Sequence, residues 1–133
     1  PVEIALKINA AKSGTHKDKQ AFLEELIVRR ELAVNFVYFE SEYDSYKCLP
    51  GWAQETLEAH RHDPRPHRYS RDQMERAETH DAAWNAAMAE MRITGYMHNY
   101  MRRYWGKKIV EWKNTPEYAF KTALYFNNKY YDV

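Results

Sequence analysis

The sequence predicts an all-α fold, and three observations carry that prediction. Apolar residues recur with a period near 3.6 from one end of the 133-residue chain to the other. No stretch alternates Val, Ile or Thr for the length a sheet strand needs, and there is no internal repeat or low-complexity tract. Turn and cap signals, Ser13-Gly14, Asp63-Pro64-Arg65-Pro66, Gly95 and Thr115-Pro116-Glu117, fall between the striped segments.

The first helix is expected over 1–12, stopped at Ser13-Gly14, where Gly supplies the left-handed conformation of a helix end. A long second helix over 17–39 is expected to bury one stripe, Phe22, Leu26, Ala33 and Val37, with Phe36 at its edge. The Tyr- and Asp-rich segment 40–49 is irregular and leads to Pro50, a suitable first residue for a third helix ending near His62. Neither proline of Asp63-Pro64-Arg65-Pro66 can continue that helix, because each lacks an N–H and pushes its predecessor towards extended geometry. Ser70 and Gln73 spell a capping box for a short helix. Thr79 or Asp81 caps the next, over 82–94, whose stripe is Trp84, Ala87, Met88 and Met91, and Gly95 closes it. Helix 97–113 carries Met97, Met101, Trp105, Ile109 and Trp112. Thr115-Pro116-Glu117 then places a cap, a proline at the first position and an acid at the positive end of the dipole of a last helix reaching about residue 130.

Composition removes whole function classes. Four glycines cannot build a Gly-rich phosphate loop, which excludes Rossmann, Walker and kinase fingerprints. The single Cys48 rules out an intrachain disulfide and any C-x-x-C redox or zinc signature, so a reducing intracellular compartment is expected, the cytoplasm in a prokaryote. A net charge of +1 is too balanced to wrap nucleic acid by bulk electrostatics, and any phosphate contact must be local. No apolar run reaches the length of a membrane span. At this size one domain is expected. The chain opens at Pro1 without Met and closes at Asp132-Val133 without a terminating motif, as a piece of a longer protein would.

Most catalytic constellations are missing. His60, His62 and His67 flank a proline-broken loop without the helical i, i+4 pair a metal site favours, so no metal is expected. Ser13, Ser41, Ser45 and Ser70 read as turn or cap residues, and Cys48 as a half-buried filler. Two features stand out. Arg29 lies seven residues after Phe22 and seven before Phe36, which sets a permanent cation in an apolar stripe, with Glu25 one turn away. That pair is either a structural ion pair or the wall of a polar cavity whose ligand needs a carboxylate and a guanidinium. Trp105 and Trp112 share one helix face, Trp84 points inward from the neighbouring helix, and Arg102 borders the stripe. Core packing explains such tryptophans, and stacking of nucleic-acid bases is the alternative.

Five blocks carry a more specific pattern: Phe22-Leu-Glu-Glu-Leu-Ile-Val-Arg-Arg-Glu-Leu32, Thr79-His-Asp-Ala-Ala-Trp-Asn-Ala86, Gly95-Tyr-Met-His-Asn99, Tyr104-Trp-Gly-Lys-Lys-Ile-Val-Glu-Trp112 and Asn127-Asn-Lys-Tyr130. In order and spacing they resemble the FAD-binding helical domain of class II cyclobutane pyrimidine dimer (CPD) photolyases of the photolyase/cryptochrome superfamily. The resemblance covers about residues 1–130. It implies that 1–133 is part of that catalytic domain, with the antenna domain and the C-terminal flavin segment outside this sequence and the antenna pigment unidentified. It further implies light-driven repair: reduced FAD passes an electron to a pyrimidine dimer flipped out of damaged double-stranded DNA.

By the same resemblance, Glu25 is the carboxyl group that hydrogen-bonds the dimer, with Arg29 beside it. Asn127 is the amide facing flavin N5, and Arg102 the arginine beside the isoalloxazine. Asn99 and Arg103 fall on the substrate side, and Trp84, Trp105 and Trp112 match the tryptophans that photoreduce the flavin. Arg103 stands where the family generally has Met, and Tyr131-Asp132-Val133 departs from the expected Asp-Gly-Arg-Asp continuation. Two other readings remain at this stage: a cryptochrome-like flavin photoreceptor, and a flavin-free helical module that binds nucleic acid or protein.

Overall fold

The computed structural model describes residues 1–130; the divergent Tyr131-Asp132-Val133 terminus lies outside them. Every regular element among the described residues is a helix, with no strand. They fall into two compact units, one over Pro1–Tyr43 and one from Asp44 onwards.

The first unit holds α1 (Val2–Ala10), α2 (His16–Leu23), a π-helical segment (Glu24–Arg29) and α3 (Arg30–Phe39). Gly14 takes φ +82° in the turn after α1, the conformation Gly permits most readily. Thr15 caps α2 by accepting from the Asp18 N–H at 3.2 Å, while Asp18 accepts from the Thr15 N–H at 3.0 Å. The expected long helix is therefore continuous in path, but its middle six residues have wider turns.

That change, and the small size of the unit, overturn the buried stripe. Phe22 is 46% and Val37 50% exposed, Ala33 is exposed and Leu26 only partly covered. A short helix pair supplies too little surface to enclose an apolar face, and π turns spoil the 3.6-residue arithmetic that aligned the stripe. Arg29 is likewise not a cation held in an apolar interior.

The second unit has a real core. It contains a 3₁₀ turn (Tyr46–Cys48), α4 (Gly51–Ala59), α5 (Arg71–Glu75), α6 (Ala82–Thr94), α7 (Asn99–Trp112) and α8 (Pro116–Tyr130). Pro50 is the N-cap of α4 rather than its first residue, and α4 stops three residues before His62. The Ser70–Gln73 capping box forms at α5 as expected. Asp81 is the cap of α6, and Gly95 ends that helix at φ +72°. Thr115 accepts from the Tyr118 N–H at 3.2 Å at the start of α8. Trp84, Ala87, Met88 and Met91 of α6 and Trp105, Ile109 and Trp112 of α7 are all buried, together with Met74, Met97, Ala119 and Phe126. Met101 packs against this core from its edge. Arg61, just past α4, clamps the first turn of α8: it reaches Glu117 with both terminal nitrogens, one at 3.2 Å, and Glu58 through Nε at 2.7 Å. Among the described residues no helix is long and apolar enough to cross a membrane.

Candidate functional site

The tryptophans of α6 and α7 are set by a capping residue. Asp81 accepts from the Trp84 N–H at 2.9 Å, which starts α6 in the register that turns Trp84 inward. The Tyr104 hydroxyl donates to the same carboxylate, and Lys108 approaches it at 3.8 Å, so one side chain ties the start of α6 to the middle of α7. Burial pushes the Asp81 carboxyl up, but the bonds from Tyr104 and Trp84 and the charge of Lys108 outweigh it, and its pKa lies below the ordinary value. The bond to Asp81, aided by burial, raises the Tyr104 hydroxyl. Asn85 braces the preceding turn, accepting from the Thr79 hydroxyl at 2.8 Å and donating to the Thr79 carbonyl at 2.7 Å.

Held this way, Trp84 is fully buried and its Nε1 donates to the Met74 carbonyl at 3.0 Å. Its ring stacks on Trp105 at 5.2 Å between centroids, 19° from parallel, and meets Trp112 edge-on at 5.1 Å. The order in space is Trp105, Trp84, Trp112, with the α6 residue between the two from α7. Trp112 in turn meets the half-buried Tyr69 at 5.1 Å, and Trp105 packs on Phe126 at 4.9 Å.

Trp105 also lines a cavity of about 310 Å³ between α7 and α8, whose other walls include Arg102, Gly106, Phe120, Leu124 and Asn127. The structure thus brings Arg102, Asn127 and Trp105 to one concave surface. Its floor is apolar, and its polar side-chain groups are one guanidinium and one amide. Phe120, Ala123, Leu124 and Asn127, spaced at 0, 3, 4 and 7, form this wall of α8, a periodicity readable in the sequence but overlooked there.

The remaining sequence-derived residues lie elsewhere. Asn99 and Arg103 are exposed, one turn apart on the first turns of α7, and are not among the cavity-lining residues. Glu25 and Arg29 belong to the π segment of the first unit, with side chains 74% and 65% exposed and 4.0 Å apart. They form a loose surface ion pair, the first of the two readings the spacing allowed. His60 instead bonds Asp63 at 2.8 Å and His67 stacks on His80 at 3.8 Å. No cluster of metal-ligating side chains occurs among the described residues. Sequence reasoning gave no hint of Lys113, which is 2% exposed beside Trp112.

A row of ring-to-ring tryptophans thus ends at a cavity that carries one guanidinium and one amide. No family model matches the chain. It is 53% identical over 130 residues to the deoxyribodipyrimidine photo-lyase of Methanothermobacter thermautotrophicus, an alignment spanning 98% of this chain and 28% of that protein. The photo-lyase of Oryza sativa subsp. japonica is 50% identical over 126 residues, 95% of this chain and 25% of its own length. That of Potorous tridactylus is 47% identical over 109 residues, 82% of this chain and 20% of its own. The chain therefore spans about a quarter of the length of the relatives it matches, and it is homologous to that stretch of them.

Proposed function

We propose that this chain is part of the helical catalytic domain of a class II CPD photolyase, a protein that repairs pyrimidine dimers in damaged double-stranded DNA by electron transfer from reduced FAD under light. The observation that carries the proposal is the convergence of Arg102, Asn127 and Trp105 on one cavity, in a chain about half identical to proteins named photo-lyase. The class assignment rests on the five sequence blocks.

The cavity residues fit a flavin ring. Its volume lies at the lower end of the ~300–1,000 Å³ usual for ligand pockets, enough for the ring system and not for a whole dinucleotide. When bound, reduced FAD supplies the photoexcited electron that splits the dimer. Arg102 would balance the charge of an anionic ring, and Asn127, a neutral amide able to donate and accept, would hydrogen-bond it at N5 without adding charge. Glu25 would hydrogen-bond the flipped dimer, with Arg29, Asn99 and Arg103 contacting the substrate. Trp112, Trp84 and Trp105, in that order, would carry electrons towards the Arg102–Asn127 cavity.

Arg103, where the family generally has Met, leaves room for a second reading, a cryptochrome-like photoreceptor, against which the neutral amide of Asn127 argues. One experiment separates them: the intact protein with a dimer-containing oligonucleotide, under blue light and in darkness. Light-dependent dimer cleavage is expected, and Glu25→Ala should lower cleavage per photon while leaving flavin absorbance unchanged. A flavin-loaded protein that cleaves no dimer under light would refute the repair reading, and an unaffected Glu25→Ala variant would refute the role of that carboxyl.

A further inference from the structure

Immediately outside Trp112 lies a second cavity, of about 230 Å³, lined by Arg68, Tyr69, Ser70, Trp112, Lys113, Asn114 and Tyr118. Every ionic group in that lining is a cation. Lys113 is buried, yet no carboxylate pairs with it: Nζ donates to the Tyr69 carbonyl at 2.8 Å and lies 4.9 Å from the centre of the Tyr118 ring. An ammonium taken out of water without a counter-ion carries a large desolvation cost. Burial, with Arg71 nearby, pushes Lys113 down to about 8, against a smaller opposing effect of Asp72. Arg68 pairs with no acid among the described residues. Trp112 adds a separate sign: its Nε1–H is buried and bonds no acceptor. Two cations without an acidic partner, and a tryptophan whose indole N–H has no acceptor, line one small cavity and describe a site for an oxyanion.

Its position decides which oxyanion. The cavity wall includes Trp112, the tryptophan farthest from the Arg102–Asn127 cavity along the ring series, so a molecule held there touches the outer end of the aromatic row. We infer that this cavity binds a small oxidisable oxyanion of the enediolate class, which returns electrons to Trp112. The use of the site, though not its anion affinity, rests on the electron-carrying role proposed above. An electron drawn from Trp112 to Trp84 leaves a one-electron vacancy on the Trp112 indole. The enediolate monoanion fills it with one electron, releases its hydroxyl proton to solvent and departs as a radical anion. Lys113 and Arg68 raise the local concentration of the anion and hold it against the ring.

The test uses the intact protein and ascorbate. Equilibrium dialysis in darkness under anaerobic conditions reads binding independently of light chemistry, and saturable binding is expected for the wild type. Arg68→Gln, on the exposed rim, and Lys113→Gln, which keeps an N–H donor towards Tyr69, should each weaken it several-fold. Photoreduction of the oxidised protein should saturate with ascorbate concentration in the wild type and become slower and linear in Arg68→Gln. Dithiothreitol in its neutral thiol form should support equal rates in both. Absence of saturable ascorbate binding, or equal binding by wild type and Arg68→Gln, overturns the site. If photoreduction fails with both donors while dialysis shows binding, the electron-carrying role is what fails, and the anion site stands.

Discussion

Replacing Trp84 by Phe separates the structural work of the tryptophan row from the electron-carrying role proposed for it. The structural loss comes in two parts. The indole N–H bond to the Met74 carbonyl disappears, which costs about 1 kcal/mol net because that carbonyl still accepts from the Ala77 N–H at 3.2 Å. The smaller ring leaves part of a fully buried site unfilled, roughly 1–2 kcal/mol when scaled from the ~3–5 kcal/mol of complete aromatic truncation. Together these remove ~2–3 kcal/mol from a net stability of ~5–15 kcal/mol, so the variant stays folded. The electronic loss is of another kind. Phe is much harder to oxidise than Trp, and without Trp84 the two remaining tryptophans, seven residues apart on α7, are separated by about 10 Å along the axis. Two ring contacts of 5.2 and 5.1 Å become one long gap. In the intact protein, Trp84→Phe should melt slightly earlier, keep its flavin absorbance and repair dimers when the flavin is chemically pre-reduced. It should photoreduce oxidised flavin more slowly by an order of magnitude or more. Photoreduction at the wild-type rate in a folded, loaded variant would return Trp84 to a packing role and break the row as an electron path.

Two further outcomes follow from the same unit. Asp81→Ala removes the cap of α6 and strands the Tyr104 hydroxyl, so a loss of about 1–2 kcal/mol is expected in denaturant unfolding, with Asp81→Asn milder because Asn also caps; equal losses in the two variants would show that the charge towards Lys108 matters more than the cap. The Arg61 bonds hold the Glu117 carboxyl at about 2, below its ordinary 4.5, so the pair stabilises the fold fully above pH 4.5 and loses that contribution as pH falls towards 2. The stability difference between wild type and Arg61→Ala should shrink over that interval, and a difference independent of pH would show that Arg61 acts through packing alone.

How much of this was legible depends on how local the cause is. The ends of α6 could be read because Asp81 and Gly95 act on their own helix, and its buried face because Trp84, Ala87, Met88 and Met91 keep the 3.6-residue period. The row Trp105, Trp84, Trp112 was legible as members but not in order, since the central position of Trp84 depends on how two helices pack. Lys113 was illegible: a lysine just after the last turn of a helix reads as solvated, and only the extended backbone at that residue turns it under Tyr69. The clamp of Arg61 on Glu117 joins residues 56 positions apart and leaves no sequence trace. The apolar surroundings expected of Arg29 were lost for a different reason, because they assumed α-helical turns throughout, while its pairing with Glu25 was legible from the spacing.

The π segment that defeated that assumption has a consequence for how this helix tolerates length change. Each π turn accommodates one residue more than an α turn would, so Glu24–Arg29 behaves as a stored insertion within a continuous rod. Removing a single residue there lets the rod close up as ordinary α-helix without a break in its hydrogen bonding. Everything downstream, including the aromatic face of Phe36 and Phe39, would then keep its direction against α2, whereas tightening the same six residues to α turns without a deletion would rotate it by about 100°. The segment is a phase buffer: Glu24–Arg29 can give up one residue while the second half of the helix keeps its direction.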